Sequence, residues 1–265
     1  MHVLPSSLGP ILRPCQLEGF AYQVDPYGGC QHLCRYCYAL NKARTDWTEE
    51  IRTHRDLETQ LARELSGLEP QRIYVGWDTD PYQPAEATHH QTRRIMEMLA
   101  DRGHTVSVLT KSGLVTRDID LLARMPGSSA GISVAFTNEG TRQLFEAAAP
   151  PTEERIRALH ALKQAGIPTY ALICPVLPFL TDVKALVEKL AGWADSIWVY
   201  ALSMESPEKP NWRNIEGILQ ESFPELSGPY RELAFDQDLG YWAELRRELE
   251  EHRLRSGLDL RVRIG

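Results

Sequence analysis

Cysteine is scarce in this sequence: there are five among 265 residues, an odd number that does not suit a framework of paired disulfides. A chain of this length can bury enough apolar surface to fold without such cross-links. Cys30, Cys34 and Cys37 stand within eight residues, whereas Cys15 and Cys174 stand alone. In a reducing compartment, thiols clustered in this way bind metal more often than they pair with each other, so the sequence predicts a metal centre.

Long apolar runs are also missing, because none approaches the roughly 20 residues that a membrane-spanning helix needs. Residues 1–14 lack the basic segment and apolar core of a secretory signal. We therefore expect a soluble, cytoplasmic protein that does not bind membranes. Acidic residues outnumber lysine and arginine by 36 to 29, which gives a formal net charge of −7. Nonspecific binding of nucleic acid usually needs a basic surface, so the overall charge does not support a nucleic-acid partner.

Basic residues do occur locally in short groups. The groups contain Arg93, Arg94, Arg246, Arg247, Arg253, Arg255, Arg261 and Arg263. A solvated helix face is the usual role of such groups, and we predict that role here.

Short apolar runs bounded by turn residues recur along the chain. They lie at residues 21–24, 73–78, 105–112, 131–136, 169–174 and 196–202. Runs that are apolar on both faces are typical of parallel strands covered by helices. Segments with helical periodicity separate them, which indicates right-handed strand–helix–strand crossovers. Because six units fall short of the eight in a closed barrel, we predict an α/β fold with a partial (β/α)6 TIM-type barrel.

Helix signals are clear at several of the intervening segments. Thr48 can cap a helix whose apolar stripe is Leu57, Leu61, Leu65 and Leu68. Further helices are predicted to begin at Thr152 and Asp182. The alternation stops after residue 213, so we expect an N-terminal extension (1–20), the barrel (21–213) and a C-terminal helical extension (214–265) packed on it. That extension contains an amphipathic helix near 239–255 and a last strand-like segment, LRVRI.

The clustered cysteines have the spacing C-x3-C-x2-C within PYGGCQHLCRYCYA, which begins at Pro26. Three thiolates on a short loop can each bind one iron of a [4Fe–4S] cluster, which normally takes four cysteines. No fourth cysteine lies nearby, so one iron keeps an open position, as a catalytic zinc does with three protein ligands. An open iron can chelate the amine and carboxylate of a small molecule. The spacing therefore predicts Cys30, Cys34 and Cys37 as cluster ligands.

Two other readings of this loop stay open at the level of sequence. A structural zinc ion, completed by His32, Cys15 or Cys174, would make the protein a non-catalytic module stapled by metal. Zinc sites usually show two pairs of ligands, and a second pair is absent here. A redox iron–sulfur carrier would hold the cluster without using its open iron. The pattern favours an iron–sulfur cluster over zinc.

The motif C-x3-C-x-aromatic-C, with Tyr36 as its aromatic residue, resembles that of the radical S-adenosylmethionine (SAM) superfamily. The segments TDPYQPAE (79–86), LTKS (109–112) and CPVLPFLTD (174–182) are similar to those of the group related to spore photoproduct lyase. The resemblance implies a partial barrel, a [4Fe–4S] cluster and SAM as cofactor. It also implies an external one-electron donor of the flavodoxin or ferredoxin type, and a 5′-deoxyadenosyl radical that abstracts hydrogen from a substrate.

The resemblance further assigns side chains near the strand ends, where barrel sites gather. It places Tyr36 at the adenine, and Lys111 and Ser133 at the carboxylate of the cofactor's methionine. Core packing is the alternative for Tyr36, and hydrogen bonding to backbone is the alternative for Ser133. A lysine among valines must find an anion or extend to water.

Three polar residues follow the run at 73–77. The side chains of Asp78, Thr79 and Asp80 can bind the cofactor's ammonium group or its ribose hydroxyls. They can instead cap the turn that the Asp-Pro sequence predicts.

Cys174 ends a predicted strand, so we expect its thiol at the barrel mouth, where it can return a hydrogen atom to a substrate radical. A buried free cysteine is also common as a small apolar residue. By resemblance, the lyase needs a cysteine after the second strand, and Trp77 stands at that position here. We therefore predict a lyase-like radical SAM enzyme and leave its final reaction type open. The substrate stays open among a nucleic-acid base or nucleoside, a small metabolite and a peptide.

Overall fold

The computed structural model describes residues 1–238 and 240–264, and its strands form one large and one small sheet. The strands are β1 (His2–Ser6), β2 (Leu12–Pro14), β3 (Tyr22–Val24), β4 (Tyr27–Gly28), β5 (Glu50–His54), β6 (Arg72–Val75), β7 (Thr105–Thr110), β8 (Ser129–Val134), β9 (Thr169–Val176), β10 (Ser196–Ala201) and β11 (Leu260–Arg263).

Helices separate most strands of the large sheet. They are α1 (Leu57–Glu64), α2 (Glu86–His89), α3 (Gln91–Ala100), α4 (Ile119–Arg124), α5 (Glu139–Phe145), α6 (Thr152–Gln164), α7 (Val183–Leu190), α8 (Pro210–Ser222), α9 (Ser227–Leu233) and α10 (Gly240–Ser256). Three 3-10 segments lie at Tyr38–Lys42, Gly113–Asp118 and Pro224–Leu226. In the described part of the chain, no helix is long and apolar enough to cross a membrane.

The large sheet has the order β11-β10-β9-β8-β7-β6-β3-β2. Its six central strands, from β3 to β10, are parallel neighbours. β11 continues the parallel sheet beside β10, whereas β2 pairs antiparallel with β3. Among residues 1–238 and 240–264, β2 and β11 do not pair with each other, so the sheet is open. The predicted α/β fold is confirmed, and the open parallel sheet agrees with a partial (β/α)6 barrel.

Every predicted strand of this sheet exists, but several ends differ. β6 stops at Val75, three residues before the predicted end, because Gly76 takes a φ of +95° and turns the chain. β9 continues to Val176, so Cys174 lies within the strand and not at its end. Cys174 nevertheless borders the cavity beside the carboxyl ends of the central strands.

The helix predicted to begin at Thr48 is wrong in its first part. Residues 50–54 form β5, which pairs with β1 in parallel and with β4 antiparallel in the small sheet. The nearby edge of β1 supplies backbone partners that the local sequence does not reveal. The helix itself begins at Leu57 and buries Leu57 and Leu61, while Leu68 lies beyond its end. The starts at Thr152 and Asp182 are confirmed, with Asp182 accepting a hydrogen bond from the Ala185 amide at 3.0 Å.

The C-terminal part of the chain is more integrated than expected. The boundary between residues 213 and 214 falls inside α8, so a division there would cut a helix. The LRVRI segment forms β11 and extends the main sheet as a seventh parallel strand. The expected amphipathic helix is α10, although its predicted first residue, Leu239, lies outside the described residues.

The inner face of the sheet is shaped by a close contact between two strands. Alternation puts Val106 and Val108 of β7 in the apolar core and Ser107 on the opposite, inner face. On that face the Tyr170 ring covers Gly131, where a Cβ would lie 2.2 Å from the ring. The Tyr170 hydroxyl donates to the Val108 carbonyl at 2.9 Å. These groups close the floor of the barrel, leaving the space above them for a site.

Gly76 is the position at which the backbone most clearly requires glycine. A Cβ there would lie 2.6 Å from Pro81 Cδ and 2.8 Å from the Leu109 carbonyl oxygen. We expect Gly76→Ala to lower the free energy of unfolding by about 2–5 kcal/mol, because the costs of left-handed backbone and overpacking add. Urea unfolding followed by circular dichroism measures this loss.

Gly192→Ala is the matched control, since Gly192 has a φ of +88° but no atom within 4 Å of the added Cβ. Only the backbone cost, about 1–2 kcal/mol, applies to it. Equal losses in the two variants would show that the contacts with Pro81 and Leu109 are unimportant.

Candidate active site

All ten residues predicted for the site border one cavity of about 310 Å³ beside the carboxyl ends of the central strands. They come from the cysteine loop, from the segments that follow β6 and β7, and from β8 and β9. The residues are Cys30, Cys34, Tyr36, Cys37, Asp78, Thr79, Asp80, Lys111, Ser133 and Cys174. The fold therefore brings together side chains that span almost 150 positions of the sequence.

The cysteine loop runs from β4 to the 3-10 segment Tyr38–Lys42 and is fixed by two glutamines. The amide group of Gln83 accepts from the Gln31 backbone N–H at 2.8 Å and donates to the Gly29 carbonyl at 3.0 Å. The Gln31 side chain in turn accepts from the Ala85 amide at 2.5 Å. These bonds attach the start of the loop to the segment after β6, so the loop cannot move independently of the sheet.

The three loop cysteines are free thiols that are half-buried and border the cavity. Loss of solvent raises the pKa of Cys34 to about 12 and raises the pKa values of Cys30 and Cys37 as well. Sulfur is the ligand that iron–sulfur clusters use, and binding of metal to a thiol releases its proton. Among the described residues, no three His, Cys, Asp or Glu side chains are arranged to hold a metal ion. A cubane makes a different demand, because each thiolate binds its own iron.

Lys111 and Ser133 meet at the wall of the cavity. The Lys111 ammonium donates to Ser133 Oγ at 3.1 Å and lies 5.8 Å from the centre of the Tyr36 ring. Burial by itself would lower the pKa of Lys111, but the nearby Cys34 and Glu146 outweigh it and raise that pKa. An ammonium has three donors, and Ser133 occupies one. The pair thus offers a cation and a hydroxyl to a carboxylate in the cavity.

Glu146 is a buried carboxylate that sequence analysis missed. It accepts hydrogen bonds from the Tyr36 hydroxyl and from the Arg155 guanidinium. Both Glu146 and Arg155 have fully buried side chains. Burial alone would raise the pKa of Glu146, but Arg155 and Lys111 outweigh it and lower that pKa. No sequence signal marks this pair, because its partners lie on a loop and a helix that only the fold brings together.

Tyr36 is consequently held by its hydroxyl as well as by packing. Its side chain is 8% exposed, and burial followed by Glu146 raises the pKa of its hydroxyl far above the ordinary range. The ring still borders the cavity. It can therefore serve as a fixed wall for a planar group, which is compatible with both of its predicted roles.

Asp80 is bound by the protein through both carboxylate oxygens. One oxygen accepts from the Thr110 hydroxyl at 2.6 Å, and the other accepts from the Lys111 amide at 2.7 Å and lies 3.2 Å from His32 Nε2. Burial by itself would raise the pKa of Asp80, but His32 and the neighbouring donors lower it to about 2. These contacts favour a positioning role over direct contact with a cofactor.

Asp78 and Thr79 are placed by another buried carboxylate, Asp25, which follows β3. Asp25 Oδ1 accepts from the Asp78 amide at 2.7 Å and from the Thr79 amide at 3.1 Å. Asp78 Oδ2 lies 3.2 Å from Arg13, whereas Asp78 Oδ1 is buried and has no hydrogen-bond partner in the described residues. Because buried acceptors usually have a hydrogen-bond partner, this oxygen can accept a hydrogen bond from a ligand in the cavity.

His32 carries a second buried group without a hydrogen bond. The ring is 1% exposed and borders the cavity, and its Nδ1 has no partner among residues 1–238 and 240–264. Its Nε2 lies within ion-pair distance of Asp80, but the ring is not oriented for a hydrogen bond to it. The cavity therefore offers three thiols to a metal cluster, and the unpartnered atoms of Asp78 and His32 to hydrogen bonds with a bound molecule.

Cys174 of β9 and Trp77 of the segment after β6 border the same cavity. Burial raises the pKa of the Cys174 thiol to about 11, so the sulfur keeps its hydrogen at neutral pH. The Trp77 carbonyl accepts a hydrogen bond from the Tyr38 hydroxyl at 2.6 Å. The Trp77 ring packs edge-on against the Tyr74 ring.

A second cavity, of about 400 Å³, lies between the N-terminal strands and the start of the cysteine loop. It shares Asp78 and Thr79 with the first cavity but contains no cysteine. Although it is larger, it lacks the thiols, Lys111 and Ser133, so the cavity of 310 Å³ is the better candidate for the chemistry.

The comparison with known families agrees with this geometry. A family model described as the radical SAM superfamily matches residues 24–190, from β3 to the end of α7. The chain belongs to the radical SAM superfamily. Members of this family use a [4Fe–4S] cluster and SAM, so the protein is a radical SAM enzyme. It needs an external electron donor and a substrate, as radical SAM enzymes do.

Relatives and a solved structure extend the family match. An uncharacterized protein of Mycobacterium tuberculosis is 30% identical over 231 residues, 81% of this chain and 67% of that protein. A radical SAM Nalpha-GlyT isomerase of Pseudomonas phage M6 is 29% identical over 190 residues, 69% of this chain and 39% of that protein. The structure of spore photoproduct lyase complexed with dinucleoside spore photoproduct has a TM-score of 0.71 and 16% identity, covering 98% of this chain and 81% of that one. At this identity the likeness establishes the fold.

The buried pair beside the site yields a prediction for stability. Glu146→Gln keeps a group that can hydrogen-bond Tyr36 but leaves Arg155 as an uncompensated buried cation. We expect the free energy of unfolding to fall by about 3–5 kcal/mol, measured by urea unfolding at pH 7. Glu153→Gln removes the exposed partner of Lys189, 2.6 Å away, and should cost at most about 1 kcal/mol. Similar losses for both variants would mean that the buried charge pair has no special weight.

Proposed function

We propose that Cys30, Cys34 and Cys37 hold a [4Fe–4S] cluster whose open iron receives SAM in the cavity of 310 Å³. When bound and reduced, this cluster supplies the electron that cleaves SAM to methionine and the 5′-deoxyadenosyl radical that abstracts hydrogen from a substrate. The observation that carries the proposal is the meeting of three cysteine thiols with Lys111 and Ser133 around one cavity in a radical SAM chain.

The remaining side chains divide the work of binding the cofactor. Lys111 and Ser133 bind the carboxylate of the methionine part, which supplies the anion that a buried ammonium needs. The unpartnered Oδ1 of Asp78 accepts from the ammonium or from a ribose hydroxyl, with Thr79 beside it. Tyr36 forms the wall for the adenine. Asp80 positions Lys111 through its backbone amide.

Cys174 is proposed to return a hydrogen atom to the substrate radical. Its raised pKa keeps the S–H bond intact at neutral pH, and a thiol rather than a thiolate is the species that can donate hydrogen. The S–H bond breaks, a C–H bond forms on the substrate, and a thiyl radical is left. One electron from the external donor and one proton then restore the thiol.

For the substrate we propose a nucleobase or nucleoside, free or within a nucleic acid. The name of the lyase complex supports this class, since it names a dinucleoside. Trp77 gives the cavity an aromatic wall for a planar ring. A small metabolite or a peptide remains the second candidate.

A flavodoxin or ferredoxin as donor and a cytoplasmic location stay predictions.

The cluster ligands can be tested by removing them one at a time. Cys30→Ala, Cys34→Ala and Cys37→Ala should each abolish the absorbance near 400 nm after anaerobic reconstitution, and with it the release of 5′-deoxyadenosine. Cys15→Ala should keep roughly four irons per chain, because Cys15 lies outside the cavity. If all four variants bind iron equally, or if the protein purifies with one zinc and resists iron, the proposed centre is wrong.

Two variants separate cofactor binding from hydrogen return. Lys111→Met should raise the KM for SAM in 5′-deoxyadenosine formation by about 10- to 100-fold, because a charge-assisted hydrogen bond is lost. Cys174→Ala should lower product formation far more than cofactor cleavage. Lys163→Met, at an exposed ion pair, is the control for loss of a lysine. An unchanged KM for SAM in Lys111→Met would show that Lys111 does not bind the carboxylate. Product formation that still matches cofactor cleavage in Cys174→Ala would show that the thiol takes no part in the reaction.

A further inference from the structure

The two strands at the open edge of the barrel carry an aromatic and cationic surface that the proposed chemistry does not use. Trp198 and Tyr200 of β10 are half-buried and nearly parallel, with ring centroids 6.3 Å apart and an angle of 15° between the planes. In the register of the sheet, Trp198 pairs with Arg261 and Tyr200 pairs with Arg263. We call these four residues the edge surface.

The edge surface faces the inside of the barrel. Residues that pair in register on parallel strands point to the same side of a sheet. Trp198 pairs with Leu172 of β9, and both Leu172 and Tyr200 border the cavity of the proposed active site. Ile197 and Val199, which alternate with these residues, are buried in the core on the other side. The edge surface therefore continues the wall of the cavity toward the open edge of the sheet.

The arginines give the edge surface a positive charge in a protein whose net charge is −7. The guanidinium carbons of Arg261 and Arg263 lie 4.6 Å and 5.7 Å from the centre of the Trp198 ring. Arg261 also binds Asp259 through two hydrogen bonds of 3.0 Å and 2.8 Å. Arg263 is exposed and forms no ion pair within the described residues. The Arg263 guanidinium also interacts with the Tyr200 hydroxyl, and a guanidinium has further N–H donors that it can offer to an anion.

Both arginines lie on a strand and not on the solvated helix face that their sequence context predicts. Both β10 and β11 also lie beyond residue 190, where the match to the family model ends. The edge surface is therefore supplied by a part of the chain that lies outside the match to the family model.

We propose that the edge surface is a substrate subsite that binds a nucleotide, with its planar base against Trp198 and Tyr200 and its phosphate on Arg263. Aromatic rings stack on bases of any sequence, and an arginine fork matches the oxygens of a phosphate. Because β11 is the edge strand, a long strand of nucleic acid can reach the subsite from the side while one base enters the cavity. This inference rests on the proposed function, because it specifies the class of substrate for the same site.

The test is the binding of a fluorescein-labelled single-stranded DNA of ten nucleotides to the reconstituted holoenzyme, followed by anisotropy at several salt concentrations. We expect Arg263→Gln to reduce the slope of log K against log salt by about 1, and Trp198→Leu to weaken binding by about 5- to 100-fold. Arg255→Gln and Trp193→Leu, which change an exposed arginine on α10 and a half-buried tryptophan away from the edge surface, should bind as the parent does.

Competition distinguishes the two sources of the nucleotide. Unlabelled DNA that competes far better than a mixture of the four deoxynucleoside monophosphates identifies a strand, and equal competition identifies a free nucleotide. Either result supports the subsite. The proposal is overturned if neither binds, if Arg263→Gln and Trp198→Leu bind like the controls, or if polyglutamate competes as well as DNA.

Release of 5′-deoxyadenosine from SAM by the same parent holoenzyme, with dithionite as reductant, is the separate measure of the proposed function. Its absence would overturn that function whatever the anisotropy shows. Cofactor cleavage without any effect of the edge-surface variants on DNA binding would overturn the subsite alone.

Discussion

The carboxylate of Glu146 is the charge on which the geometry of the site depends. It is buried between the Tyr36 hydroxyl of the cysteine loop and the Arg155 guanidinium of α6. The Arg35 amide donates to the Phe145 carbonyl at 2.8 Å, so the same connection also holds the loop backbone. A buried ion pair adds little net stability compared with apolar packing of the same volume. Removing one partner alone is costly, however, because it leaves the other charge buried and unpaired. Here it connects the cysteine loop to α6, close to Lys111.

Two more carboxylates do comparable work at the ends of neighbouring strands. Asp25 follows β3 and binds the amides of Asp78 and Thr79, while Asp80 follows β6 and binds Lys111 and approaches His32. Each carboxylate connects the loop of one strand to the next one. The polar groups at this end of the sheet are therefore of two kinds in the described part of the chain. Some hold the loops, and others, such as Asp78 Oδ1, are buried without a hydrogen-bond partner.

The strands at the open edge of the sheet lie outside the part of the chain that matches the family model. The family match covers β3 through α7, which includes the cysteine loop, Lys111, Ser133 and Cys174. The residues after 190 complete the wall with β10 and add β11 at the edge. Because β11 is a terminal strand of this open sheet, the substrate subsite that we propose lies at its edge, beside the cavity.

The sequence by itself determined the local features. Cysteine spacing predicted the loop that borders the cavity, and short apolar runs predicted the six central strands, because both signals lie within a few residues of each other. The tertiary structure decided what depends on distant partners. Residues 50–54 became a strand since β1 offered an edge, Cys174 fell within β9, Asp80 was occupied by His32 and Lys111, and LRVRI joined the main sheet. Glu146 and Arg155 could not be found from sequence, because a buried charge is recognised only through the partner that neutralises it.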